Sequence, residues 1–198
     1  MRIINCQQQT DEWYQARLGI PTASSFDKII MASGKASTQR EKYLYKLAGE
    51  ILSGKTEETF QTQAMARGCE LEQEAREFYS FFTNNEIYQV GLCLHDELNA
   101  GASPDGLIDN NGLVEIKCPS MSVHVEYLAG GKLPSAYFQQ VQGQLFITGR
   151  QWCDFISYYP GIKPFLIRVE PDTQFHDLLA VELLIFCNDL VKLTEKLR

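Results

Sequence analysis

The chain has 198 residues, enough for one domain with a substantial core, and its apolar content is ordinary for a globular protein. Eighteen Lys and Arg against 25 Asp and Glu leave a formal net charge of −7, which excludes a protein that coats nucleic acid by bulk charge; DNA chemistry on such a chain needs its basic residues focused in one channel. No apolar run is long enough to span a membrane and no signal-peptide core follows Met1-Arg2, so a cytoplasmic location is expected.

In chain order, Thr10 is placed to cap a short helix over Asp11–Leu18, ended by Gly19 and carrying Trp13, Tyr14 and Arg17. Pro21-Thr22 opens a second helix to about Met31, with Phe26, Ile29 and Ile30 on its buried side. Ser24 and Ser25 fall in its first turn, where hydroxyls and free N–H groups suit an anion, with Arg17 just before them. Ser33–Ser37 is a loop. Thr38-Gln39-Arg40-Glu41 matches a capping box for a helix to about Leu52, with Tyr43, Leu44, Leu47 and Ile51 at core spacing. Lys35, Arg40, Lys42 and Lys46 make this the most basic region, either a solvated face or one turned to a phosphate backbone. A polar connection, Ser53–Phe60, leads to a helix over Thr62–Phe82. Its apolar stripe is Leu71, Ala75, Phe78, Tyr79 and Phe82, and its other side carries Glu70, Glu72, Glu74 and Glu77.

From Glu86 the period changes to two. Glu86–Leu94 is a strand, and Asn99–Asp109 forms a hairpin with Gly112–Cys118 across the turn Asp109-Asn110-Asn111. Ser120 or Ser122 caps a helix ending at Gly130-Gly131. Pro134-Ser135 starts another through Thr148, with Ala136, Val141, Leu145 and Phe146 inward and Tyr137, Gln140 and Gln144 together on a different side. Gln151–Tyr159 and Pro164–Glu170 are strands, and Asp172–Leu197 is a closing helix with Leu178, Leu179, Leu183, Phe186, Leu190 and Leu193 apolar. This order predicts a single α/β domain over residues 1–198, a central mixed sheet flanked by helices. Six scattered cysteines without a Cys-x-x-Cys pair, and three distant histidines, give no zinc or iron–sulfur spacing.

The chemistry lies in Gly101–Pro119. Val114, Ile116 and Cys118 point one way along their strand; Glu115 and Lys117 point the other. The hairpin folds Asp105 back beside Glu115, so that two acids and a lysine converge. Two carboxylates at one spot repel unless a cation lies between them, and oxygen ligands favour Mg²⁺ or Mn²⁺. The alternative is a plain surface hairpin.

Pro104-Asp105 followed by Glu115-Ile116-Lys117 resembles the signature of the PD-(D/E)xK nuclease superfamily. The chain also resembles phage lambda-type exonucleases within it. That likeness is carried by Arg17-Leu18-Gly19 with Thr22-Ala23-Ser24, Gly68 with Glu72, Ser103-Pro104-Asp105-Gly106 with Glu115–Pro119, and Ser135-Ala136-Tyr137 with Gln140-Val141-Gln142. The resemblance implies a restriction-endonuclease-like core and a 5′-to-3′ exonuclease on linear duplex DNA that releases mononucleotides and leaves a 3′ overhang. Asp105, Glu115 and the Ile116 carbonyl would bind Mg²⁺, with two ions expected and Mn²⁺ able to substitute. Lys117 would assist the attacking water. Glu72 would join the acidic cluster directly or through water, and Gln140 would lie near the scissile group. Arg17, Ser24 and Ser103 would hold the 5′-phosphate, and Met65 would be the apolar wedge that parts the strands; Lys35, from the basic region noted above, is expected as a further DNA contact. The resemblance also implies a homotrimeric ring around DNA, a single-strand annealing protein as partner, and a phage or prophage source. A restriction-type endonuclease, or a non-catalytic DNA-binding module of the same fold, is the alternative.

Overall fold

The computed structural model describes residues 1–56 and 63–198, without the side chains of residues 63–66 and 69. The elements are β1 (Arg2–Ile4), α1 (Asp11–Arg17), a 3₁₀ helix (Ala23–Lys28), α2 (Arg40–Ser53), α3 (Gln63–Thr83), β2 (Ile87–Tyr88), β3 (Leu92–Leu94), β4 (Gly101–Ala102), β5 (Gly106–Ile108), β6 (Gly112–Lys117), α4 (Met121–Gly130), a 3₁₀ turn (Ser135–Tyr137), α5 (Phe138–Thr148), β7 (Trp152–Ser157), β8 (Phe165–Val169) and α6 (Thr173–Leu197).

Five strands form a mixed sheet in the order β2-β5-β6-β7-β8, in which β6 and β7 are parallel and the other pairs antiparallel. A three-stranded sheet, β1-β3-β4, lies alongside it in the chain. Both faces of β6 are covered, as a central strand with a parallel neighbour requires. Val114 and Ile116 pack with Ala75 and Tyr79 of α3, while Leu113 packs in a larger cluster with Val141 and Leu145 of α5, Phe155, and Leu179, Leu183 and Phe186 of α6. Burying each such large side chain contributes about 1.5–3 kcal/mol.

Thr10 caps α1 as expected, its hydroxyl accepting from Trp13 N at 3.4 Å. Phe26, Ile29 and Ile30 are fully buried, but the second helix is a six-residue 3₁₀ helix rather than an α-helix to Met31. Its start is held to the small sheet by a bridge between Thr22 and Gly101, and Ile30 bridges Ala36, which leaves too few residues for regular α-helix. The capping box at Thr38 does not form. Gln39 is the N-cap of α2 with helical dihedrals and no side-chain bond, and Ser37 Oγ instead accepts from Gln39 N at 3.3 Å. Phe82 is exposed, not core, as are Ala136 and Leu178. The polar connection from residue 57 on and the Met65 side chain lie outside the described residues.

The largest departure is in the strands. Glu86–Leu94 is not one strand but β2 and β3, in different sheets, and Asn99–Asp109 is likewise divided into β4 and β5. The first break falls at Gly91, where the backbone of residues 4–6 passes so close that a Cβ would lie 2.8 Å from Ile4 O and 2.6 Å from Cys6 O. That approach is made by β1, an element absent from the sequence-based expectation. The second break is Ser103-Pro104-Asp105, which carries the chain from one sheet to the other.

Candidate active site

The β5–β6 register pairs Gly106 with Val114. Carried one step further, it sets Asp105 opposite Glu115. The turn that fixes this register is held from outside: Arg150 Nη1 donates to the carbonyls of Ile108, Asp109 and Gly112 at 3.0, 3.0 and 2.6 Å. Asp105 Oδ2 accepts from Ile116 N at 2.6 Å. Glu115 is 1% exposed, so it is no part of a solvated face. Its Oε1 accepts from Gln140 Nε2 and pairs with Lys117 Nζ, both at 2.5 Å, and its Oε2 accepts from Gln144 Nε2 at 2.5 Å. Lys117 also lies 5.2 Å from the centre of the Tyr137 ring.

The proximity couples the charges. Burial pushes the Asp105 carboxyl well above the ordinary carboxylate range, with Glu115 and then Glu72 adding to the shift against the opposing pull of Lys117. For Lys117, burial works against its charge, but the carboxylates of Glu115 and Asp105 outweigh it and raise the ammonium's pKa. Glu72 lines a cleft of about 560 Å³ together with Asp105, Arg76, Gln89 and the Cys6–Thr10 segment, and it is ion-paired with Arg76 at 2.6 Å.

A hard divalent ion fits this donor set. Two opposed carboxylates require positive charge nearby, part of which Lys117 supplies at Glu115, and the Gln144 Oε1 atom beside them is buried without a hydrogen-bond partner among the described residues. Among the described residues no group of three or more His, Cys, Asp or Glu forms a complete metal cage. The ligands besides Asp105 and Glu115 would therefore be the Ile116 carbonyl, water and substrate phosphate, the mode usual for Mg²⁺.

A second cluster gathers around Arg17. Its guanidinium donates to Ser103 Oγ at 3.2 Å, Thr22 Oγ1 at 2.9 Å and Ser24 Oγ at 3.4 Å, and stacks 4.0 Å from the Trp13 ring centre. Trp13 Nε1 in turn donates to Ser103 Oγ at 3.1 Å and Gly91 O at 2.9 Å. Among the described residues Arg17 meets no carboxylate. A fork of donors surrounded by hydroxyls is a natural seat for a phosphate. The 3₁₀ helix bearing Ser24 docks on α5 through Gly143, whose missing side chain admits the Phe26 ring. This contact couples the second cluster to the helix that holds Glu115.

The structure thus brings Asp105, Glu115, Lys117, Gln140 and Ile116 together, with Glu72 at the cleft edge, and separately joins Arg17, Ser24 and Ser103. Lys35 joins neither; it is exposed in the turn closed by Met31 N donating to Lys35 O at 2.8 Å. The basic region around it is also partly neutralised, because Arg40 pairs with Asp189 and Glu182 and Lys46 with Glu50. Trp13, Thr22 and Gln144 were not among the expected site residues. Trp13 and Arg17 are one helical turn apart, as are Gln140 and Gln144, and that spacing was the available signal. Gln8, which ties Pro104 O to Val90 O, had no such signal.

A mixed sheet flanked by helices, with an Asp facing a Glu-x-Lys strand, defines a nuclease of the restriction-endonuclease-like fold. The chain belongs to the YqaJ-like viral recombinase domain family, whose model matches residues 12–151. It is similar to an alkaline exonuclease of Laribacter hongkongensis, LHK-Exo, with a TM-score of 0.87 and 37% identity over 95% of this chain and 96% of that one. The structure of LHK-Exo in complex with dAMP matches with a TM-score of 0.86 and 38% identity over the same shares of the two chains. A phage-related exonuclease of Haemophilus somnus 129PT shares the fold, with a TM-score of 0.72 and 15% identity over 90% of this chain and 96% of its own. The uncharacterized protein R354 of Acanthamoeba polyphaga mimivirus is 30% identical over 173 residues, 79% of this chain, and the chain spans 30% of that protein's length. Among the described residues no helix is long and apolar enough to cross a membrane.

Proposed function

We propose that this nuclease is a Mg²⁺-dependent exonuclease that digests linear duplex DNA from the 5′ end and releases mononucleotides. The observation that carries the reading is the pairing of two sites on one short link. Ser103 belongs to the Arg17 cluster and Asp105 to the acidic one. The Cα atoms of these two residues can lie at most about 7 Å apart, a spacing of backbone supports that suits neighbouring phosphates of one strand. A terminal phosphate seated on Arg17, Ser24 and Ser103 leaves the next phosphodiester at Asp105, so each cut frees one nucleotide. LHK-Exo binds dAMP, a molecule of the class such a cut releases.

Mg²⁺ held by Asp105, Glu115 and the Ile116 carbonyl would polarise the phosphoryl oxygen and make water a better nucleophile, and a second ion would stabilise the leaving oxygen. Arg17 binds and orients the end. Lys117 holds its proton firmly at Nζ and offsets charge growing on phosphorus, orienting the attacking water. Gln140 positions Glu115, and Glu72 adds negative charge at the cleft edge, directly or through water. The exposed 3′ strand is passed to a single-strand annealing protein. We also propose a cytoplasmic, trimeric ring around DNA, which retains its substrate by enclosure; the net charge of −7 and the internal pairing of Arg40 and Lys46 favour that over bulk attraction.

The test is digestion of linear duplex labelled at either 5′ or 3′ ends, with and without Mg²⁺, with closed circles as control. Mononucleotides released first from 5′ ends, and only with Mg²⁺, are expected, and Asp105→Ala and Lys117→Ala should abolish release. Cutting of closed circles would overturn the exonuclease reading in favour of an endonuclease.

A further inference from the structure

We propose that Gln144 is a positioning residue that fixes the metal-facing oxygen of Glu115, an inference that rests on the metal-site reading above. The two Glu115 oxygens are not equivalent. Oε1 accepts from Gln140 and is paired with Lys117. Among the described residues Oε2 has a single side-chain partner, Gln144 Nε2 at 2.5 Å. Oε2 therefore keeps lone-pair capacity for a cation, and its direction is set by one bond.

The surroundings of Gln144 show what that bond is for. The side chain is 1% exposed, on the inner face of α5 between Val141 and Leu145 of the core. Its Oε1 has no hydrogen-bond partner among the described residues. Turning the amide over would not help, because it would set an oxygen against a carboxylate oxygen. An apolar side chain at this place would leave no orphan amide oxygen and would pack as well, but it would strip Glu115 Oε2 of its donor. The packing of the helix gains nothing from a glutamine here, and among the described residues the only hydrogen bond this side chain makes is the one to Glu115. Buried polar groups that are half satisfied cluster at sites where orientation matters more than packing.

Gln140 and Gln144 are one helical turn apart, so α5 grips both oxygens of one carboxylate from a rigid element. Gln140 lies at the open end, part-buried; Gln144 closes the inner end. Without Gln144 the carboxylate keeps its charge and its Lys117 partner but is free to rotate about its last torsion. Partners of this kind behind a metal ligand typically set 10- to 100-fold in metal affinity or rate.

The test uses Gln144→Met, which keeps volume and removes the donor, and Gln144→Asn, which keeps a polar amide but holds it too short to reach. Mn²⁺ binding is measured by calorimetry on each folded protein, alongside kcat and KM on duplex DNA at saturating metal. About 10-fold or greater weakening of Mn²⁺ binding, with kcat reduced and KM for DNA unchanged, is expected for both variants. Wild-type Mn²⁺ affinity in either folded variant overturns the assignment, and so does a variant that only melts earlier without a change in affinity. Wild-type protein that binds no Mn²⁺ at all overturns the metal-site reading itself and this assignment with it; unchanged variants beside a metal-binding wild type overturn only the role of Gln144.

Discussion

Replacing Arg17 with Ala tests the proposed end-recognition role of its cluster most directly. Arg17 reaches Ser103 through one guanidinium nitrogen and Thr22 and Ser24 through the other, so it presents two charge-assisted donors to whatever sits among those hydroxyls. A hydrogen bond to a charged group is worth about 1.5–3 kcal/mol net. Taking the lower figure for each, because the cluster is only part-buried and water refills it, the loss is about 3 kcal/mol, or roughly 10²-fold in kcat/KM. Arg17→Lys keeps the charge and loses the fork, so an intermediate loss of about 10-fold is expected. The assay is single-turnover release of the first nucleotide from duplexes that differ only in a 5′-phosphate or a 5′-hydroxyl. Wild type should favour the phosphorylated end, and Arg17→Ala should remove that preference while leaving the hydroxyl end nearly unchanged. Equal losses on both ends would refute the reasoning, because they would make Arg17 a structural support of the 3₁₀ helix and not a phosphate ligand.

The raised Asp105 carboxyl gives a stability prediction with a definite sign. Its contribution is full below the ordinary carboxylate range and is lost as pH rises through its elevated value, so ionising Asp105 weakens the metal-free fold. Asp105→Asn should raise metal-free stability by about 0.5–2 kcal/mol at pH 7 to 8, with the gain vanishing on acidification, while abolishing activity; thermal melts in chelator across pH check it, and a lower Tm at pH 8 would sink it. Gly143→Ala sets a Cβ 2.8 Å from Phe26 Cε2 and 3.2 Å from Ala23 Cβ, so a loss of about 1–3 kcal/mol in denaturant unfolding is expected; unchanged stability would contradict the close docking of α5. Arg150→Ala strips three carbonyls at the β5–β6 turn of their shared donor and should cost about 1–2 kcal/mol, with faster amide exchange across Gly106–Val114 as the readout. Arg168→Ala removes the guanidinium that meets both oxygens of buried Asp154, leaving Tyr79 as its partner; about 1 kcal/mol of stability should be lost with kcat unchanged, because this pair lies outside both clusters.

Periodicity carried much of this architecture. The closing helix, the β5–β6 hairpin and the α5 face bearing Gln140 and Gln144 were legible because each depends on local spacing. Glu115 was legible as a side chain directed away from Val114 and Ile116, but its burial was not. Alternation tells which face a residue takes, and only the helix laid across that face, α5, tells whether water reaches it. The division of Glu86–Leu94 was hidden for a similar reason: the break at Gly91 answers to a backbone more than eighty residues away. The capping box failed because α2 starts one residue later than it requires: Gln39, not Thr38, is the N-cap, and its amide is held by Ser37 Oγ. In the Arg17 cluster the arginine and serines could be named from motif likeness, and Trp13 and Thr22 lie within five residues of Arg17; the contact to Ser103, 86 residues away, is the part that local spacing could not show.

The contact between Lys117 and Glu115 bears on how such an enzyme is switched on. A site whose negative charge is balanced by its own chain does not wait for an ion in order to fold. On the proposed metal reading, the polypeptide can mature and persist in chelator with its ligands already aligned, and an arriving cation meets Glu115 Oε2 while the ammonium stays on Oε1. Activation should then follow the supply of free divalent ion at the speed of exchange, with no refolding lag, and be just as quickly reversed.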